Sequence, residues 1–427
     1  MRLSCVLAFG LAFAGGAGAR GLDTSPHTLH HTKAAETGLK ASHRAVRHAA
    51  AHSARLKATS IVTHAKASSG TAHTAVHASV RHTTSARVRR ASLTLRHHRY
   101  YERFTASSFV DGVVGEGDIT AGEDPIVRQA AIDALGDMNG TALVIDPSSG
   151  RILAMVNQKL ALSGGAEPCS TIKLTVALAA LSEGLVTRDT PVNLGGFRMN
   201  MTEALAHSNN LYFEELGREL GFERVRHYAT MFGLGELAGY NIRGEQLGTY
   251  PEEEIPASEG GVGRMCSFGQ GVNMTPLQLG AFVAAVANGG TLYYLQHPAT
   301  PEEAASFEPR IKRTLDIAHF VPDLEDGMAG AVEFGTARSL RANFQELPVF
   351  GKTGTCSNDG TRFGWFASFS NSPQGSLVTV FFLEGGRPTF GPRAAELTGE
   401  FYRNLWDRNY FADKAVAAVS AAAPASR

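Results

Sequence analysis

The sequence predicts an α+β fold: one antiparallel sheet built from strands at both ends of the folded region, flanked by helices, with an all-helical subdomain between. Three observations carry this. Two apolar, β-branched runs, Thr141–Ile145 and Arg151–Val156, are separated by the turn-forming stretch Asp146-Pro147-Ser148-Ser149-Gly150 and read as a hairpin with a longer loop. The middle of the chain is helical in its apolar spacing and its caps. Beyond it Val349–Thr355, Gly364–Phe369 and Ser376–Glu384 again read as strands, the first of them an edge strand.

The 427 residues hold 40 basic and 40 acidic side chains, but this balance is uneven along the chain. Residues 1–19 carry Arg2, an apolar run from Leu3 to Ala14 and small residues ending Ala17-Gly18-Ala19, which reads as an export signal cleaved near Ala19. Left uncleaved, it would serve as a short anchor. Residues 20–103 contain fifteen Lys or Arg against three acids, and twelve of the sixteen His precede residue 99. Built almost wholly of Ala, His, Ser, Thr, Arg and Lys, this segment cannot bury enough apolar surface to offset its ordering entropy and is expected to be disordered. Behind an export signal its charge suits anionic envelope polymers or a membrane surface, or a spacer, rather than nucleic acid. The His are too irregularly placed for a metal site, and no metal or cofactor is expected. After cleavage Cys169, Cys266 and Cys356 remain, too few for a disulfide framework.

The folded region is expected over 104–412, with a disordered tail over 413–427. Asp124 as cap, Pro125 in the first turn and Gly136 as terminator frame a helix. The hairpin follows, then a helix from Ser170 to about Glu183. Residues 203–219 read as one helix with His207-Ser208-Asn209-Asn210 near its start. Gly260–Gly271 is glycine-rich. Thr275-Pro276 caps a helix through Asn288 that Gly289-Gly290 ends. Asp323–Phe334 is helical, and Ala394–Trp406 closes the fold.

Ser170 at a helix start and Lys173 three residues on lie on one face about a turn apart, so the amine can reach the hydroxyl. A desolvated Lys of lowered pKa is one of the few side chains that can accept a Ser proton. The helix N-terminus adds backbone N–H groups that could hold an oxyanion. By itself Ser-x-x-Lys is a common pattern that more often marks a capped helix with a solvated Lys.

Three patterns stand in order: Ser170-Thr171-Ile172-Lys173, Ser208-Asn209-Asn210 and Lys352-Thr353-Gly354. Together they resemble the Ser-x-x-Lys, Ser-x-Asn and Lys-Thr-Gly boxes of the penicillin-recognising serine acyltransferase and β-lactamase superfamily. Between the second and third boxes, Phe268-Gly269-Gln270-Gly271, Thr275-Pro276-Leu277-Gln278-Leu279, Ala287-Asn288-Gly289-Gly290 and Gly335-Thr336-Ala337 are similar to stretches of class B penicillin-binding protein transpeptidase domains. The resemblance covers roughly residues 125–405. It implies an exported D,D-transpeptidase of the periplasm or cell envelope. Such an enzyme acylates a serine with D-Ala-D-Ala stem peptides, crosslinks peptidoglycan and is inhibited by β-lactams.

On that resemblance Ser170 is the nucleophile. Lys173, kept neutral by burial and by the second cation Lys352, is its base. Ser208 relays a proton towards the leaving amine, and Asn210 serves the substrate backbone and Lys173. Asn209 points away and packs or caps. Lys352 supplies positive charge for the terminal carboxylate, and the Thr353 and Thr355 hydroxyls bind it. Gly354 keeps the strand edge clear for an added substrate strand. The backbone N–H groups of Ser170 and Thr355 form the oxyanion hole.

Two departures mark this chain. The family's first box commonly reads Pro-Gly-Ser-Thr-Phe-Lys, whereas here Cys169 replaces the Gly and Ile172 the Phe. Cys169 and Cys356 adjoin the two oxyanion donors, so they could pair under oxidation or serve as small apolar filling. Glu167 precedes the nucleophile and is read as a surface residue. The interval from Ser170 to Ser208 is compact for the family. The alternatives are a class D-like β-lactamase or β-lactam sensor, disfavoured by Asn210, and a catalytically silent wall-binding module, disfavoured by three intact boxes. Carboxypeptidase and endopeptidase action differ from crosslinking only in the acyl acceptor. Neither a glycosyltransferase domain nor a folded pedestal is expected before residue 104.

Overall fold

A computed structural model describes residues 103–372 and 375–412. The expectations placed on residues 1–102 and 413–427 lie outside it. The main sheet has five strands, β1 (Gly140–Asp146), β2 (Arg151–Val156), β3 (Val349–Asn358), β4 (Thr361–Ser370) and β5 (Leu377–Gly385), all antiparallel in the order β2-β1-β5-β4-β3. Strands from the two ends of the fold meet where Ala142 faces Phe381 and Val144 faces Thr379. β3 is an edge strand, as expected.

Period-two alternation divides the core between the sheet's faces. Leu143, Ile145, Trp365, Ala367, Val378 and Val380 face one cluster, and Ala142, Val144, Phe366, Phe381 and Leu383 the other. Against the second face pack α1 (Pro125–Leu135) and the closing helix, Gly391–Asp407. Asp124 caps α1 by accepting from the N–H groups of Ile126 and Val127. The first face carries the helical subdomain. At its centre is α2 (Lys173–Ser182), buried from Lys173 through Leu181, a helix apolar on every side apart from Lys173, Thr175, whose hydroxyl donates to the Ile172 carbonyl, and the terminal Ser182.

The helix expected over 203–219 is two helices, α3 (Met201–Ala206) and α4 (Asn210–Leu220). The break has a local cause. Asn200 and Asn209 each accept a backbone N–H three residues on, from Glu203 and Tyr212, so each starts its own helix, and Ser208 between them sits at φ +55°. The glycine-rich run also proves helical over α5 (Gly261–Phe268), ended by left-handed Gly269. α6 (Pro276–Ala287) opens on the expected cap, a box in which Thr275 and Gln278 bond each other's backbone. α7 (Val321–Glu333) leads to the third box. None of the described helices is long and apolar enough to cross a membrane.

Candidate active site

The first box does not open the α-helix directly. Cys169–Ile172 form a 3₁₀ turn and α2 begins at Lys173. With three residues per turn, side chains three apart eclipse one another, which is what brings Lys173 Nζ to 3.0 Å from Ser170 Oγ.

Lys173 is fully buried, and its amine is surrounded by oxygen. It donates to the Ser208 carbonyl at 2.7 Å and to Asn210 Oδ1 at 2.6 Å, and lies 3.0 Å from Ser208 Oγ. The Phe213 ring covers it, its centroid 5.6 Å from Nζ. Burial, and behind it the nearby Lys352, lower the Lys173 pKa from 10.5 to about 6. The neutral amine has two hydrogens and one lone pair. The two carbonyl oxygens accept but cannot donate, so they take both hydrogens. The lone pair is left for a hydroxyl, and Ser170 and Ser208 offer the two within reach. This arrangement can remove a proton from Ser170.

Ser208 bridges the two amines. Its hydroxyl oxygen is 2.8 Å from Lys352 Nζ, and Lys352, also fully buried, donates to the Thr353 carbonyl at 3.1 Å. Burial lowers the Lys352 pKa to about 7. Lys173, Ser208 and Lys352 thus form a continuous chain along which a proton can move. The left-handed backbone at Ser208 is what turns its hydroxyl into the gap. Asn209 takes the capping role expected of it.

Along β3, Lys352 reaches Ser208 and Gly354 meets the nucleophile turn, while Thr353 turns towards Thr336 and Thr355 towards Gly391 at the rim of a cavity. Thr353 is buried with its hydroxyl 2.7 Å from that of Thr336, so it is not open to a ligand as expected; strand alternation and the Gly335-Thr336-Ala337 turn behind it are the reason. Thr355 is half-buried. Its oxygen accepts from the Gly391 N–H at 2.8 Å, which leaves the hydroxyl hydrogen to donate. Gly354 has a different reason for being glycine than the one expected. A Cβ there would sit 2.8 Å from the Pro168 carbonyl and 3.2 Å from Thr171 Cγ2. The close approach of the nucleophile turn, rather than the outer edge, excludes a side chain.

That turn is tied to the sheet in two further ways. Trp365 Nε1 donates to the Glu167 carbonyl at 3.0 Å, and Cys169 and Cys356 form a disulfide with their Cα atoms 5.5 Å apart. Cys266 is a buried thiol. Beside the disulfide opens a cavity of about 610 Å³ lined by Thr355, Arg264, Arg362 and Glu167 among others. Glu167 is therefore half-buried at a cavity wall, not on an open surface. Its pKa is raised by burial, against the pull of Arg264. Thr336 and Arg264 escaped sequence reasoning because neither stands in a box; for Thr336 the Gly-Thr-Ala stretch was the available signal.

Residues 140–403 match the sequence model of the penicillin-binding protein transpeptidase domain. Among curated proteins, Stage V sporulation protein D of Bacillus subtilis is 28% identical over 316 residues, 62% of this chain and 48% of that protein. Peptidoglycan D,D-transpeptidase FtsI of Escherichia coli is 26% identical over 295 residues, 60% of this chain and 46% of that protein. The chain thus spans about half the length of these relatives. The transpeptidase domain of Burkholderia pseudomallei penicillin-binding protein 3 shares the fold, with a TM-score of 0.58 at 19% identity over 68% of this chain and 96% of that one.

Proposed function

The chain belongs to the penicillin-binding protein transpeptidase family, and we propose that it is an extracytoplasmic serine D,D-transpeptidase acting on peptidoglycan stem peptides. The observation that carries this is the buried, near-neutral amine of Lys173, whose two hydrogens are taken by carbonyl oxygens while Ser170 lies 3.0 Å away. Ser170 Oγ attacks the carbonyl of the penultimate D-Ala as its proton passes to Lys173. The C–N bond to the terminal D-Ala then breaks, and the leaving amine takes a proton delivered through the Ser208 hydroxyl. An amine from a second stem peptide attacks the acyl-serine and restores Ser170. Burial disfavours the charged form of Lys352, and a substrate carboxylate beside it would restore the full cation. That cation in turn holds Lys173 neutral. Thr355 supplies a hydroxyl donor for the carboxylate, the Ser170 and Thr355 N–H groups the oxyanion site, and Gly354 room for the nucleophile turn. β-Lactams would acylate the same serine, and the basic segment 20–103 would rest on anionic envelope polymers or membrane surface.

The test is incubation with a stem pentapeptide ending in D-Ala-D-Ala, with and without an acceptor amine. Wild type should release D-Ala and, with acceptor, form the crosslinked product, while Ser170→Ala does neither. Hydrolysis without crosslinking at saturating acceptor would assign a carboxypeptidase instead. No D-Ala release under either condition would overturn the reading.

A further inference from the structure

The residue before Ser170 is held in an unfavourable backbone conformation. Cys169 is fully buried and sits at φ +51°, in the left-handed region that glycine tolerates and a residue with a Cβ resists. A non-glycine residue left to itself prefers the right-handed alternative by roughly ten-fold. What opposes that preference here is covalent. The disulfide joins Cys169 to Cys356, 187 residues away and next to Thr355 on β3. Before Cys169, Trp365 bonds the Glu167 carbonyl, and Gly354 and Gly269 contact Pro168, so that Cβ atoms added to them would lie 2.8 Å from its carbonyl and 2.3 Å from its Cγ. After it, Thr171 donates to the Pro168 carbonyl from its N–H at 3.2 Å and its hydroxyl at 2.7 Å. These bonds close the turn around Cys169 without holding its side chain, so the bridge is the one covalent restraint at the residue whose torsion aims Ser170.

We propose that the Cys169–Cys356 disulfide is a positioning device for the nucleophile. It holds the left-handed turn, and with it the Ser170 hydroxyl and N–H, against β3, so that Ser170 is acylated fast in the oxidised chain and slowly in the reduced one. The proposal rests on the reading of Ser170 as the acylated residue. Forming the bridge takes two electrons and two protons from the two thiols and passes them to a disulfide oxidant, which becomes two thiols. Reduction reverses this, with a dithiol closing to its own disulfide. Exchange has a way in, because Cys356 is half-buried and lines the 610 Å³ cavity while Cys169 is sealed. An incoming thiolate therefore attacks the Cys356 sulfur, and Cys169 leaves as thiolate.

The experiment uses the full chain, oxidised with glutathione disulfide or reduced with dithiothreitol that is then removed under nitrogen. The acylation rate is read with a fluorescent penicillin, alongside melting temperature and hydrogen exchange over residues 168–172. Reduction of wild type, Cys169→Ser and Cys356→Ser are each expected to slow acylation about ten-fold or more, because the reacting atoms lose their alignment. Cys169→Gly separates positioning from stability. It should melt as low as Cys356→Ser, yet acylate within about two-fold of the oxidised wild-type rate in either redox state, since glycine takes the left-handed turn unaided. Equal rates for oxidised and reduced wild type would overturn the proposal, as would Cys169→Gly acylating as slowly as Cys169→Ser. If oxidised wild type is not acylated, the reading of Ser170 fails, and hydrogen exchange decides the turn. Faster exchange at 168–172 on reduction supports the positioning role, and unchanged exchange overturns it.

Discussion

Lys173→Met should lower the rate of Ser170 acylation by at least about 10³-fold while leaving the protein folded, the upper part of the range for a lost general base. Methionine keeps the length and apolar body of the side chain but removes the lone pair 3.0 Å from Ser170 Oγ. Stability should respond differently. The Lys173 pKa falls from 10.5 in the unfolded chain to about 6 in the fold, so between these values the unfolded state binds the extra proton and stability rises with pH. Each pH unit in that window is worth about 1.4 kcal/mol for one amine. Melting temperature should therefore climb from pH 6.5 to pH 9 in wild type and less steeply in Lys173→Met, which keeps only the contribution of Lys352. Against this, Asn210 Oδ1 and the Ser208 carbonyl lose a buried donor, at about 1–3 kcal/mol each. A variant that acylates at the wild-type rate would remove Lys173 from the mechanism. An unchanged pH slope would show that its amine is charged in the folded protein.

Ser208→Ala should slow acylation by about 10²-fold, less than loss of the base because the Ser170–Lys173 contact survives. The Ser208 hydroxyl stands between two amines, 3.0 Å from Lys173 Nζ and 2.8 Å from Lys352 Nζ, and no other described side chain bridges them. Alanine keeps the backbone carbonyl that accepts from Lys173, so the deletion is confined to the relay. Stopped-flow acylation with a fluorescent penicillin measures the effect, and a rate within two-fold of wild type would reduce Ser208 to a structural hinge.

Much of this site could be read before the fold was known. The sheet was legible because Thr141–Ile145, Arg151–Val156 and Ser376–Glu384 are apolar runs with β-branched residues and Gly364–Phe369 is rich in aromatics, a composition that burial on both faces produces directly. The three boxes were legible because their spacing within each box is local. What was hidden depends on contacts between distant segments. Ser208 carries no sign of its positive φ, and at Cys169 the one sign is the Gly that the family's box commonly has there. The break at Ser208 was signalled weakly by Asn200 and Asn209, two cap residues inside one apparent helix. Pairing of Cys169 with Cys356 spans 187 residues, and only their proximity to two oxyanion donors hinted at it. For Gly354 the position was found but not the cause. Its neighbour is the Pro168 carbonyl, which no spacing rule brings to β3.

The most direct measurement is intact-protein mass after brief exposure to benzylpenicillin, followed by peptide mapping. A single adduct of one penicillin is expected, located on Ser170, persisting after free drug is removed and missing from Ser170→Ala. An adduct on any other residue, no adduct at all, or rapid release with turnover of the drug would contradict Ser170 as the acylation centre of a transpeptidase.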